Sequence, residues 1–226
     1  KMLLKKNKER CVRAKPSILF HTDACQAVAF FTLNVNSLHV DALTLNSNKI
    51  YGPKGVGALY LRGGTKIEPL VYGGGQEQGM RSGTENAPGV AGFGMAIARA
   101  AELRAKEFDR LNHLRALCII KLSAVFPNVQ INGSRVWYSP HILNFTLKGL
   151  DAEAAVVYLS EKGIDAASGP ACSQKSAKQS PTLKAIGLSA DDMKSTLRIS
   201  FGRSTTPEHV EKFVKTLKSI HALVQL

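Results

Sequence analysis

The segment Val40–Leu61 reads VDALTLNSNKIYGPKGVGALYL, and it contains two apolar runs separated by a turn rich in glycine and proline. Short apolar runs that end at such turns are typical of buried β-strands. We therefore predict strands over Val40–Leu45 and Val56–Leu61, with Lys49 on the rigid connection between them. A third apolar run, Ser17–Asp23, ends in a carboxylate and predicts another strand with a functional residue at its end.

The rest of the chain predicts a second, differently built half. Helical segments are expected over Val90–Glu107 and again over Phe108–Phe126, and short side chains and charges around Arg99–Lys106 indicate a domain joint. Beyond it, short strands alternate with helices, and a last helix begins at Thr205-Thr206-Pro207. We expect an α/β fold, with a first part that has helices around a mostly parallel sheet and a smaller α+β domain after it.

The composition of the 226 residues is that of an ordinary globular protein, with 44% hydrophobic and 21% charged residues. It argues against disorder, collagen-like repeats, coiled coils and a membrane-spanning segment, and the basic start lacks the apolar stretch of a signal peptide. The cysteines are scattered without a CxxC pair, which favours free thiols in a reducing compartment, the cytoplasm, over disulfides or a metal site: Cys11, Cys25, Cys118 and Cys172.

The formal charge of +13 is concentrated at the start of the chain, where residues 1–15 carry seven basic side chains and one acid. A basic arm of this kind is able to bind nucleic acid. No aromatic side chain interleaves the charges as a stacking site would require. A solvated helix face is therefore the favoured interpretation, and nucleic acid is not an expected partner.

Three side chains of the first half stand where chemistry is expected. Lys49 follows an apolar strand, where desolvation favours the unprotonated amine that forms a Schiff base, although its spacing alone favours a surface lysine beside a hairpin turn. Asp23 ends a strand, where open α/β sheets bind ligands. A carboxylate there keeps a pyridinium nitrogen protonated, and the alternative role of Asp23 is a helix cap. Gln26 either donates to a ring oxygen or completes a capping box.

Cys172 and Arg198 are the candidates in the second half. Cys172 lies in a loop of small residues near Lys175 and Lys178, and nearby positive charge favours a thiolate. Arg198 and Ser200 point away from the apolar residues of their strand, which lets Arg198 bind a substrate carboxylate with two parallel hydrogen bonds. The alternative role of Arg198 is a structural ion pair.

Five motifs follow one another along the chain: HTDACQ (His21–Gln26), NKIYGPKG (Asn48–Gly55), GGGQEQGMRSGTEN (Gly73–Asn86), SGPAC (Ser168–Cys172) and RISFGR (Arg198–Arg203). Together they resemble the motifs of cysteine desulfurases of the NifS/IscS type, within the class V aminotransferases. The resemblance extends from about Ser17 to the C-terminus, and it implies the pyridoxal-phosphate-dependent transferase fold of type I.

For the cofactor, the resemblance implies that Lys49 binds pyridoxal 5′-phosphate covalently and later shuttles protons. Asp23 would pair with the pyridinium nitrogen and Gln26 with the phenolic oxygen. Asn46 and Asn48 stand where the family usually has a serine and a histidine toward the phosphate. Amides still hydrogen-bond a phosphate, but a positive charge is lost.

For the substrate, the resemblance implies that Arg198 binds the carboxylate of L-cysteine. Cys172 would attack the substrate sulfur, carry it as a persulfide and leave L-alanine. Thr84 would reach the cofactor phosphate of the other subunit of a homodimer. The sulfur would pass to an acceptor protein such as an iron–sulfur scaffold, for iron–sulfur cluster assembly or tRNA thiolation.

The N-terminal portion of the family would precede Lys1. Residues 1–100 are therefore expected to be the C-terminal part of the cofactor-binding large domain, and residues 101–226 the small domain that carries the persulfide loop. Two other functions stay open. One is a different class V enzyme, such as a selenocysteine lyase or an aminotransferase, which the thiol at Cys172 argues against. The other is a catalytically inactive fragment that acts as a basic binding module.

Overall fold

The computed structural model describes residues 18–168, 180–221 and 223. The chain divides into two compact units between Ala105 and Lys106. The predicted loop around Cys172 and the basic residues 1–15 lie outside the described residues.

The first unit is built on a three-stranded sheet in the order β1-β2-β3. β1 (His21–Asp23) runs parallel to β2 (Ala42–Asn46), and β2 runs antiparallel to β3 (Gly57–Leu61). The connection from β1 to β2, which contains the short helix α1 (Val35–Leu38), provides the crossover that a parallel pair requires, whereas the short turn after β2 returns the chain antiparallel. The three predicted strands are present, and the described sheet of this unit is mixed.

Two apolar clusters form the core of the first unit. The larger one includes three residues that share a face of helix α2 (Ala87–Val125), because they are spaced three and four apart. Its buried members are Val28, Ile50, Phe93, Ala96 and Ala100. The buried members of the second cluster are Ala24, Val40 and Leu43.

The glycine–proline turn after β2 lies directly against α2. A Cβ atom on Gly52 would come within 2.9 Å of the Ala96 Cβ atom, and a Cβ atom on Gly92 would come within 2.7 Å of Pro53 Cγ. Close-packed interiors leave no space for an added methyl group at such distances. The turn that carries Lys49 is therefore held against the helix by two close contacts.

The second unit contains a four-stranded antiparallel sheet in the order β4-β5-β7-β6. Its strands are β4 (Gln130–Ile131), β5 (Ile142–Thr146), β6 (Ala167–Ser168) and β7 (Thr196–Ser200). Its helices after α2 are α3 (Ala152–Glu161), α4 (Pro181–Ala185), α5 (Ala190–Lys194) and α6 (Pro207–His221). In the core, the rings of Phe145 and Phe213 meet edge to face, with their centroids 6.3 Å apart.

Helix α2 differs from the expectation of two helical segments. It is continuous from Ala87 to Val125, and the boundary between the two units falls within it. The stretch Arg99–Lys106 consists only of Ala, Arg, Glu, Leu and Lys, which are strong helix formers. The helix therefore continues through the predicted joint.

None of the described helices combines the length and the apolar character that crossing a bilayer requires.

Candidate active site

Asp23 lies at the carboxyl end of β1, opposite Thr44 of β2. The backbone N–H of Cys25 donates a 2.9 Å hydrogen bond to Asp23 Oδ1. Hydrogen bonds from the thiol and then from the backbone N–H of Cys25 lower the pKa of Asp23, because they stabilise the ionised carboxylate. Asp23 thus caps the following turn, whereas the helix cap that was its alternative interpretation is not observed, because residues 25–30 form turns and not a helix. It also stays exposed, so capping does not exclude a ligand.

His21 links β1 to β2 through a side-chain contact. Its Nε2 lies 2.7 Å from Thr44 Oγ1, and the backbone N–H of Ala24 donates to the Thr44 carbonyl oxygen at 2.9 Å. These contacts tie the residues on both sides of Asp23 to one residue of β2. The position of the carboxylate therefore depends on the pairing of the two strands.

Lys49 lies in a 3₁₀ helix over Ser47–Ile50 that follows β2 directly. Ser47 and Ile50 are three residues apart, so they share a face of this helix, and both are buried. Lys49 lies off that face and is exposed. The structure therefore agrees with the interpretation that the spacing favoured, a surface lysine beside the turn, because the geometry of the turn directs Lys49 outward.

Asn46 and Asn48 are placed by the same turn. Asn46 Oδ1 accepts a 3.0 Å hydrogen bond from the backbone N–H of Asn48. This bond engages the carbonyl oxygen of the amide, so the amide N–H groups of Asn46 are the donors suited to a ligand. Asn48 is exposed next to Lys49.

Asp23 and Lys49 lie at one edge of the sheet, because β1 and β2 are parallel and the 3₁₀ helix that carries Lys49 follows β2 directly. Burial, followed by the hydrogen bond and the negative charge of Asp23, raises the pKa of Cys25 to about 11, and the positive charge of Lys49 opposes the rise. The carboxyl edge of parallel strands is where open α/β sheets bind ligands.

Gln26 is exposed in the turn after β1, next to Cys25. It lies close in sequence to Asp23, which agrees with a position at the same edge.

Thr84 is exposed in the loop between β3 and α2. Gln76 Oε1 accepts a 2.9 Å hydrogen bond from the backbone N–H of Gly83, which folds the loop back on itself just before Thr84. No hydrogen bond or ion pair within the described ranges joins Thr84 to Asp23 or Lys49.

Arg198 lies on β7 of the second unit, opposite Asn144 of β5 and Ala167 of β6. Leu197 and Ile199 are buried, so the predicted alternation of the strand is confirmed at these positions. Arg198 is partly buried, and its Nε atom is buried without a hydrogen-bond partner in the described part of the chain. The described residues offer Arg198 no structural ion pair.

Cys172 lies outside the described residues. Of the cysteines that the structure describes, Cys118 is fully buried, and burial raises its pKa to about 12. Cys25 is partly buried with a pKa of about 11. Thiols with such high pKa values stay protonated near neutral pH, so neither is suited to be a nucleophile.

The contacts that Cys25 and Thr44 make beside Asp23 were not predicted from the sequence. Cys25 stands between Asp23 and Gln26 in the motif HTDACQ, and this position was the signal that could have found it. No local signal marks Thr44, because its role arises only when β1 pairs with β2.

Comparison with known proteins decides the family. The family model described as "Aminotransferase class-V" matches residues 6–213. The chain belongs to the class-V aminotransferases. This class-V chain is similar to the curated protein cysteine desulfurase IscS from Clostridium botulinum (38% identical over 206 residues) and to cysteine desulfurase IscS from Dictyoglomus turgidum (39% over 203 residues). Each match covers 90% of this chain and 52% of the relative, so the chain spans about half the length of these relatives.

A solved structure titled "NifS-like protein" matches the class-V chain with a TM-score of 0.83 and 29% identity, over 97% of this chain and 57% of that one. This likeness confirms the predicted α/β class and fold type I.

Enzymes of the class-V family use pyridoxal phosphate, and the described residues fit its chemistry. Its ring nitrogen requires an ionised carboxylate, and Asp23 has a lowered pKa. Its aldehyde requires a primary amine, and Lys49 presents one near the same edge. The donor set of this class-V chain therefore matches the cofactor.

Proposed function

We propose that this chain contributes the cofactor lysine and the sulfur-accepting cysteine of a pyridoxal-phosphate-dependent cysteine desulfurase, which converts L-cysteine to L-alanine. The observation that carries the proposal is that Asp23 ends β1 and that Lys49 follows the carboxyl end of β2, its parallel neighbour, so that both lie at one edge of the sheet. The names of the similar curated proteins support the choice of reaction.

In this proposal the first unit holds the cofactor. Lys49 binds it covalently and moves a proton at Nζ, and Asp23 keeps its ring nitrogen protonated. Gln26 donates to the phenolic oxygen, and the amides of Asn46 and Asn48 donate to the phosphate. When bound, pyridoxal phosphate supplies an electron sink for the substrate carbon atoms.

The second unit binds substrate and receives the sulfur. Arg198 holds the carboxylate of L-cysteine, and its buried Nε is a donor that one carboxylate oxygen would satisfy. The thiolate of Cys172 attacks the substrate sulfur, so that an S–S bond forms as the C–S bond breaks. The electrons of the C–S bond stay with carbon, which takes up a proton and becomes the methyl group of alanine. The sulfur remains on Cys172 as a persulfide.

The partners follow from the same proposal. Thr84 reaches the phosphate of a second subunit in a homodimer, and the persulfide passes to an acceptor protein such as an iron–sulfur scaffold, for iron–sulfur cluster assembly or tRNA thiolation. A reducing compartment, the cytoplasm, suits four cysteines without a disulfide pattern. Residues 1–100 form the C-terminal part of the cofactor-binding domain, and residues 101–226 form the small domain.

The test uses the 226-residue chain and, in parallel, the longest natural reading frame that contains it. Each is mixed with pyridoxal phosphate and L-cysteine in the presence of a thiol reductant, and alanine and sulfide are measured. We expect equal amounts of alanine and sulfide. Cys172→Ser should keep the absorbance of the bound cofactor but release no sulfide, whereas the control Cys118→Ser should keep activity.

Three outcomes would overturn the proposal. Full sulfide release by Cys172→Ser would remove the role of Cys172, and turnover of selenocysteine or of an amino donor in place of cysteine would indicate a different class V enzyme. If neither protein takes up the cofactor, and the chain binds nucleic acid with a steep salt dependence, the basic binding module is the correct function.

A further inference from the structure

Cys25 is in direct contact with Asp23. Its backbone N–H donates to Asp23 Oδ1 at 2.9 Å. Its thiol donates to the carbonyl oxygen of Thr44, 3.8 Å from Sγ. The thiol therefore ties residue 25 to β2, next to the carboxylate that its backbone N–H caps.

Thr44 fixes the place of this contact in the sheet. It lies opposite Asp23 in the ladder of β1 and β2, and its carbonyl oxygen also accepts from the backbone N–H of Ala24 at 2.9 Å. Cys25 is partly buried against it. The thiol is thus held between the strand that ends in Asp23 and its parallel neighbour.

The chemistry of the thiol suits a donor rather than a nucleophile. Burial raises the pKa of Cys25 to about 11, and the hydrogen bond and charge of Asp23 add to the rise. The thiol therefore keeps its proton at neutral pH. Two other titratable groups face this pair. His21 from β1 lowers the pKa of Asp23 through its charge, and Lys49 from the turn after β2 lowers the pKa of Cys25 in the same way.

We propose that Cys25 is a positioning residue: its thiol holds residue 25 against Thr44, so that its backbone N–H keeps the Asp23 carboxylate oriented toward the ring nitrogen of the cofactor. This inference rests on the proposed function, because that function assigns Asp23 to the ring nitrogen. When a carboxylate and a pyridine nitrogen share a proton, the proton stays on the group with the higher pKa, and each donor to the carboxylate favours the protonated ring.

The first experiment uses the 226-residue chain without cofactor. The titration of the Asp23 carboxyl group is followed by carbon-13 NMR in the wild type, in Cys25→Ala, which removes the thiol, and in Cys25→Ser, which restores a donor. We expect the midpoint of Asp23 to move upward in Cys25→Ala and to return to the wild-type value or below it in Cys25→Ser. Cys118→Ala is the control for loss of a thiol elsewhere.

The second experiment loads the same variants with pyridoxal phosphate. We expect the pH at which the cofactor absorbance changes to shift in Cys25→Ala and to be restored in Cys25→Ser. We also expect kcat for L-cysteine to fall severalfold, and by no more than about tenfold. The loss of one hydrogen bond accounts for a rate effect of about this size. KM should stay unchanged, because Cys25 does not contact the substrate in this proposal.

An Asp23 midpoint that is the same in the wild type and Cys25→Ala would overturn the inference, as would a Cys25→Ser variant that behaves like Cys25→Ala. If Cys25→Ala does not fold, Cys25→Val replaces it, since valine fills a similar volume without a donor. A shifted Asp23 midpoint in a chain that binds no cofactor would support the contact and overturn the proposed function instead.

Discussion

Gly52 lies so close to Ala96 that a Cβ atom on the glycine would come within 2.9 Å of the Ala96 Cβ atom. The same Cβ atom would also overlap the hydroxyl of Ser47. Ala96 belongs to α2, and Gly52 follows the 3₁₀ helix that carries Lys49. This contact therefore sets how closely the lysine-bearing turn approaches the helix.

We expect Gly52→Ala to lower the free energy of unfolding by about 1–3 kcal/mol, because over-packing forces the turn away from α2. We also expect Lys49 to be labelled less by pyridoxal phosphate and borohydride. Denaturant unfolding and peptide mass spectrometry measure the two effects.

The control for Gly52 is Gly94→Ala, since Gly94 also lies in α2 but a Cβ atom there meets nothing within 4 Å. A helical Gly→Ala change with free space is neutral or slightly stabilising. Equal losses of stability in the two variants would show that the contact with Ala96 is not the reason for glycine at position 52.

Asp23→Asn removes the negative charge but keeps an oxygen that accepts from the backbone N–H of Cys25. Because Asp23 is exposed, we expect the free energy of unfolding to change by no more than about 0.5 kcal/mol. The rate of alanine formation should fall by about a hundredfold or more, since proton-holding groups contribute at least this much.

Asp165→Asn is the matched control for Asp23, because Asp165 is an exposed carboxylate of the second unit. Asp165→Asn should leave both the free energy of unfolding and the rate of alanine formation unchanged. Normal turnover in Asp23→Asn would remove Asp23 from the cofactor site.

Alkylation by iodoacetamide should distinguish the cysteines by their pKa values. Cys25 and Cys118 have pKa values raised to about 11 and about 12, whereas an ordinary thiol titrates at about 8.5. At pH 7.5 the folded protein should therefore label slowly at both positions, and the rate at Cys25 should rise as the pH approaches 11. Peptide mass spectrometry measures each site.

The reference for this experiment is the unfolded chain in denaturant, where all cysteines should react alike. We expect Cys172 to react first in the folded protein, because its lysine-rich setting favours the thiolate. Labelling of Cys118 before Cys172 would contradict both expectations.

His141 should make stability depend on pH. Burial lowers its pKa to about 4, whereas the ring binds a proton at about pH 6.5 in an unfolded chain. The stability that the neutral ring contributes is therefore present above pH 6.5 and is lost as the pH falls toward 4. Urea unfolding from pH 7 to pH 4 measures the loss.

We expect His141→Gln to reduce this pH dependence and the control His113→Gln to retain it, since His113 is exposed. If His141→Gln unfolds with the same pH dependence as the wild type, another group is responsible.

Local signals predicted the elements around Lys49 well. The strands expected over Val40–Leu45 and Val56–Leu61 are observed as β2 and β3, because apolar runs and glycine–proline turns act over a few residues. Helices α1 and α5 were not predicted, because they are only four and five residues long and show no helical period. A capping signal for α5 was nevertheless present, since Ser189 Oγ accepts from the backbone N–H of Asp192 at 3.1 Å.

The sequence by itself determined the family and the residues able to carry its chemistry, among them Asp23 and Lys49, because motifs depend only on covalent order. Only the tertiary structure decided that the thiol of Cys25 contacts the carbonyl oxygen of Thr44 and that Lys49 is exposed. The same is true of Arg198, which lies between Asn144 and Ala167. The contacts of Cys25 with Thr44 and of Arg198 with Asn144 join residues that are distant along the chain. The register of strand pairing brings them together, and the packing of a whole sheet determines that register.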